Sequence, residues 1–179
     1  MSRQTRLDWF SSRARTQAAR RDDGRHRRLS HRRPLRFEPL EDRRLLAITV
    51  DTLVDELDGN IGDGDVSLRD AIAAATTGET IDFSVTGTIT LELGELVIDK
   101  SLTIDGPGAN LLTIDASGND PTPNQDNGDG SRVLVVSDGS FGTPIDVEIN
   151  GLTLSGGDGG GDGGGIENHE NLHLIDSTI

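Results

Sequence analysis

Short runs of alternating apolar and polar residues recur along most of the chain: "TIDFSV", "GTITLEL", "ELVID", "SLTIDG", "LLTIDASG", "RVLVVSDG", "VEINGLTLSGG" and "NLHLIDSTI". Gly, Asn or Asp bounds most of them, the residues that accept the sharp bends where strands end. Four runs align on one aliphatic position, Leu112, Val133, Leu152 and Leu172, at intervals of 21, 19 and 20 residues. A period near 20 with strand-like alternation is the mark of a β-solenoid, in which one unit cannot bury its own apolar side and neighbours must stack. Leu102 and Ile104 then face one way and Thr103 and Asp105 the other; Leu112 with Ile114, Leu152 with Leu154, and Leu172 with Leu174 repeat the pattern. Two buried aliphatic side chains per strand, at about 1.5–3 kcal/mol each, offset the cost of ordering only when strands stack.

The expected fold class is therefore all-β, a right-handed parallel β-helix with about 20 residues per coil, the hand following the general crossover preference. An antiparallel sandwich of short strands is the competing architecture, although a sequence repeat has no reason to arise in one. Two stretches interrupt the pattern. Residues 119–130, "NDPTPNQDNGDG", hold no apolar side chain besides two prolines and read as a loop thrown out of one coil. Gly156–Gly165 reads as a flexible, wet turn between "LTLS" and "LHLI". Ahead of the strands, Ser67 has the chemistry of a helix N-cap, with Asp70 placed to complete a capping box. Leu68, Ala71, Ile72 and Ala75 follow at helical spacing, so the sequence predicts a short capping helix of about ten residues, ended by Gly78.

Charge divides the chain in two. Residues 1–47 hold fourteen arginines and no lysine against six acids, about +8, whereas 48–179 hold only Arg69, Lys100 and Arg132 against twenty-five acids, about −22. The acidic body would repel phosphate, which excludes nucleic acid as its partner. Residues 1–36 are too poor in apolar side chains to fold alone and read as a disordered Arg-rich segment. There is no cysteine, hence no thiolate chemistry and no disulfide framework. No apolar run reaches membrane-spanning length, and the basic start lacks the apolar stretch of a standard signal peptide.

Two stretches resemble known families. "FEPLEDRRLLA", 37–47, is similar to the LEPR-XLL-type motif near the N-termini of large exported proteins of planctomycete-type bacteria. Phe37 stands where leucine is usual, while Glu38, Pro39, Arg43, Arg44, Leu45, Leu46 and Ala47 match. "VSLRDA", 66–71, resembles the CSLREA motif that opens a family of bacterial surface proteins carrying parallel β-helix repeats; Val66 replaces its cysteine and Asp70 its glutamate. The resemblances imply export to the cell surface or beyond and a β-helix domain over 48–179. They carry no single activity.

Candidate chemistry is sparse. Calcium is the one candidate cofactor, at Asp158, Asp162, Asp63 and Asp65. Yet "GGDGGG" puts glycine where the calcium-binding nonapeptide has aspartate, and "DGNIGDGD" lacks the terminal bidentate glutamate of a twelve-residue loop. The glycine run lacks the lysine and hydroxyl of a phosphate loop. His169 and His173, four apart, fall in a turn and a strand and read as solvated. No catalytic residue and no cofactor-binding residue stands out. A lyase acting on acidic sugars would need cations beyond the body's three, and no pair of acids is singled out for a hydrolase. The expected role is a non-enzymatic structural or adhesin-like module, secreted or at the cell surface, with carbohydrate or a neighbouring cell as partner. The rival is the N-terminal part of a polysaccharide-degrading enzyme whose site lies in later coils. "LHLIDSTI" reaches Ile179 without a polar cap, so the sequence reads as a fragment truncated at the C-terminus, with further coils expected.

Overall fold

The computed structural model describes residues 47–62, 64–161 and 164–179. The Arg-rich segment 1–36 and all of the export-type motif except Ala47 lie outside the described residues. Eleven strands and one α-helix follow in chain order: β1 Ile48–Val50, α1 Leu68–Ala74, β2 Glu79–Phe83, β3 Gly87–Thr90, β4 Leu96–Ile98, β5 Leu102–Asp105, β6 Leu112–Asp115, β7 Leu134–Val136, β8 Asp146–Asn150, β9 Thr153–Ser155, β10 Ile166–Asn168 and β11 Asn171–Ile175. Little of the described chain is helical; the strands form three sheets, ordered β1-β2-β5-β8-β11, β3-β6-β9 and β4-β7-β10. Every strand pair is parallel. From β2 onward the chain visits the three sheets in rotation.

Register follows from burial. Ile81, Ile104 and Ile149 are successive Cα partners and are each at most 2% exposed. Ile89, Ile114 and Leu154 form the matching row of the second sheet, and Leu96 with Leu134 and Ile98 with Val136 that of the third. These rows make one core. The alternation expected for Leu102/Ile104, Leu112/Ile114 and Leu152/Leu154 holds: all six are buried, while Thr103 is half-buried and Asp105 exposed. It does not hold for Leu172 and Leu174, which on β11, the edge strand of its sheet, are half-buried and exposed. A slip of one residue would exchange them, which is why burial of one face fixes pairing so firmly.

The 20-residue alignment is not the register. Leu112 lies in β6, Val133 just before β7, Leu152 just before β9 and Leu172 in β11, so the four fall across three sheets. In-register partners in the first sheet are 23 residues apart from Ile81 to Ile104, 45 from Ile104 to Ile149 and 25 from Ile149 to Leu174. The physical reason is that strands of all three sheets bury one face and so share one pattern. Matching on pattern alone therefore jumps between sheets.

Ser67 caps α1 as the sequence implies, but Asp70 closes the turn differently from a capping box: its Oδ2 accepts the Ser67 hydroxyl at 2.8 Å in place of the Ser67 backbone N–H. Ser67 Oγ accepts the Asp70 N–H at 3.0 Å, and Leu68, Asp70, Ala71 and Ile72 are buried. Asp70 Oδ1 also accepts the Gly59 N–H at 2.9 Å, tying the preceding loop to the helix start. The helix is shorter than expected, seven residues, and stops at Ala75 rather than Gly78. Two β-branched threonines follow, and Thr76 donates its backbone N–H and hydroxyl to Glu79 instead of extending the helix. Gly78, at φ +84°, then turns the chain into β2.

Arg69 fastens this corner to the sheets. It pairs with Asp55 through Nε at 2.8 Å and Nη2 at 3.1 Å, and donates to the carbonyls of Glu95 and Gly94. Asp55 in turn accepts the N–H groups of Glu92 and Leu93. Burial alone would raise the Asp55 pKa, but the guanidinium and these donors hold it below the usual aspartate value.

Two substitutions test this packing. Ile104→Ala is expected to cost about 2–5 kcal/mol, read as a fall in the urea midpoint. Asp55→Ala leaves a buried guanidinium unpaired and should cost about 3 kcal/mol; a loss below about 0.5 kcal/mol, the scale of an ordinary surface change, would contradict the clamp.

Candidate functional site

Two excursions from the sheets meet on one side of the body. Residues 119–130 leave after β6, and the glycine run leaves after β9; Asp129 and Gly159 form an antiparallel bridge between them. Asp158 organises the contact. Its carboxylate accepts the Gly128 N–H at 2.8 Å and the Asn127 N–H at 3.3 Å, its own N–H donates to Ser131 O at 2.9 Å, and its carbonyl accepts the Gly130 N–H at 3.1 Å. It is only 6% exposed.

The glycines are needed for closeness rather than for looseness. A Cβ on Gly128 would fall 2.9 Å from Gly160 Cα, and one on Gly159 would fall 2.5 Å from Arg132 Cγ. The expectation of a solvated, flexible turn is thus corrected where Asp158 is concerned: backbone packs on backbone, and the aspartate is buried between the two excursions.

The contact gathers three carboxylates. One oxygen each from Asp120, Asp129 and Asp158 lie within 4.8 Å of one another. Asp120 is half-buried and Asp129 exposed. Their environments push the acids apart. Partial desolvation, with Asp129 and Asp158 nearby, raises the Asp120 pKa despite the Thr122 N–H that it accepts. The Gly128 N–H lowers that of Asp158, outweighing desolvation. A cleft of about 290 Å³ opens beside them, lined by Asp120, Asn124, Asp126, Gly156 and Asp158. Three oxygens are half of the six or more that calcium takes.

Of the two described aspartates among the four singled out in the sequence, Asp158 joins this cluster and Asp65 does not. Asp63 and Asp162 lie outside the described residues, and Asp65 is exposed in the loop before α1. Asp120 and Asp129 were hidden inside a stretch legible only as an excursion. No local pattern says that this loop folds back onto the glycine run. His169 and His173 are not brought to a shared site among the described residues; His169 sits 2.7 Å from Glu167, lowering the pKa of that carboxyl, and His173 lies exposed on β11.

The body's three cations are all committed to holding the fold. Arg69 is spent on Asp55 and two carbonyls. Lys100 donates to Ile72 O at 3.0 Å at the end of α1 and pairs with Asp99 at 3.3 Å. Arg132 links Glu167 at 3.0 Å, Glu95 at 3.7 Å and Gly160 O at 3.1 Å. Arg69 and Lys100 do line an apolar cleft of about 370 Å³ with Leu57, Ile72 and Val97.

Comparison with protein-family models, with curated proteins and with solved structures finds no match to this chain.

The depressed Asp158 pKa sets a pH dependence. A carboxylate held below its unfolded value of 3.8 stabilises the fold at higher pH and loses that contribution as pH falls through its folded value. Thermal midpoints of the native chain and Asp158→Asn should therefore differ at neutral pH and converge in strong acid. A gap that stays constant across the carboxylate range would contradict the assignment.

Proposed function

We propose that residues 48–179 form a right-handed parallel β-helix that serves as a non-enzymatic structural or adhesive module of an exported, cell-surface protein. The observation that carries this reading is the rotation of the chain through three parallel sheets with in-register aliphatic rows. Stacked units of that kind bury a continuous interior and leave long polar outer faces. α1, with its apolar side packed near β1 and β4, has the character of a cap over one end of the stack. The hand is the general one for parallel crossovers, and export rests on the LEPR-XLL-like and CSLREA-like segments.

The partner proposed is extracellular carbohydrate or a neighbouring cell surface, met by the outward face of the first sheet. Thr80, Thr103, Glu148 and His173 stand there in register on four adjacent strands, beside Asp82, Asp105 and Asn150. Asn150 Nδ2 donates to Asp105 Oδ1 at 3.0 Å, a cross-strand pair that holds the row. A fold of this kind supports many activities and implies none by itself. Among the described residues no helix is long and apolar enough to cross a membrane.

The rival, a polysaccharide-degrading enzyme, is disfavoured for acidic substrates because every cation of the body is already paired. A screen of the full chain against neutral and acidic polysaccharides, run with a depolymerisation assay, separates the two. Binding to neutral glycans without turnover is expected, and the Glu148→Gln plus His173→Gln double variant should weaken it. Chain shortening of any glycan would overturn the non-enzymatic reading.

A further inference from the structure

The sequence contains two Asn-Gly steps, Asn127–Gly128 and Asn150–Gly151. In such a step the glycine nitrogen, unhindered by a side chain, can attack the asparagine side-chain carbonyl. The structure treats the two quite differently.

Around Asn127 each group that the attack needs has a partner. The attacking nitrogen, Gly128 N–H, donates at 2.8 Å to Asp158 Oδ1, a carboxylate able to take its proton. The carbonyl oxygen that would gain charge, Asn127 Oδ1, accepts the Asp129 N–H at 3.2 Å. The leaving nitrogen, Asn127 Nδ2, lies 2.8 Å from Thr122 Oγ1 and 3.3 Å from Asp129 Oδ2. Asn127 is exposed, so water reaches it. At the second step the Gly151 N–H donates at 3.0 Å to the Ile175 carbonyl, which is no base, and Gly151 is buried in the bend between β8 and β9.

We propose that Asn127 is a self-processing site, at which the folded loop converts the side-chain amide to a carboxylate with Asp158 as general base. The Gly128 nitrogen bonds to Asn127 Cγ as its proton passes to Asp158 Oδ1. The carbonyl electron pair moves onto Oδ1, opposite the Asp129 N–H. Collapse breaks the Cγ–Nδ2 bond, the departing nitrogen takes the proton back from Asp158 and leaves as ammonia, and a five-membered imide remains. Water then opens either carbonyl of the imide, leaving aspartate or isoaspartate at 127. The product places a fourth carboxylate beside Asp120, Asp129 and Asp158.

The test is peptide mass spectrometry of the full chain held at neutral pH, with conversion followed at both asparagines. Asn127 is expected to convert faster in the folded chain than in the same chain in concentrated denaturant, and Asn150 more slowly. Asp158→Asn, which keeps an acceptor but not a base, should slow Asn127 by about 10²-fold and leave Asn150 unchanged. A folded rate at Asn127 no greater than the denatured rate would overturn the proposal, as would an equal or faster rate in a folded Asp158→Asn chain. Should that variant not fold, the comparison of folded and denatured native chain still decides.

Discussion

The structure depends on parallel pairing that places one aliphatic side chain over another. Ile81, Ile104 and Ile149 are Cα partners in neighbouring strands, although 23 residues separate the first two and 45 the second two. The inner rows fix register, so the length of chain between strands is free to vary. That freedom explains how the excursion at 119–130 and the glycine run can be carried without disturbing the sheets. It also explains why the outer residues are polar yet ordered: Thr103 and Glu148 are positioned by the buried neighbours on either side of them, and His173 by its register with Glu148.

Much of the fold is legible in the residues because burial of one strand face writes an alternation that nothing else writes. The strands, their inward positions other than Leu174 on β11, the Ser67 cap and the apolar face of α1 could all be read directly. Three features could not. The repeat interval was misread because strands of different sheets carry the same pattern. The end of α1 was misplaced because Thr76 and Glu79 close the chain before Gly78 is reached. The carboxylate cluster was invisible because Asp120 and Asp129 meet Asp158 only when two excursions fold onto each other. Glycine density in 156–165 signalled that contact, but as close backbone packing rather than as a ligand loop.

Charge shapes what such a surface can do. The body carries about −22, and its three cations are committed to Asp55, Asp99, Glu95, Glu167 and backbone carbonyls. An acidic ligand would meet no unpaired cation here and much repulsion. The same arithmetic makes the Arg69–Asp55 pair more than decoration. It joins the loop before α1 to the corner between β3 and β4, at the end of the sheets where the helix lies.

Register itself offers the most direct test, since the chain has no cysteine to confuse a cross-link. Thr103 and Glu148 are Cα partners on β5 and β8 and both point outward, whereas Thr103 and Asn150 are two positions out of step. Neighbouring positions of this kind fall within disulfide reach and offset ones do not. Under mild oxidation of the folded chain, the Thr103→Cys/Glu148→Cys variant should cross-link almost completely and Thr103→Cys/Asn150→Cys hardly at all. Equal cross-linking in the two variants, or preference for the second, would contradict the register on which the whole account rests.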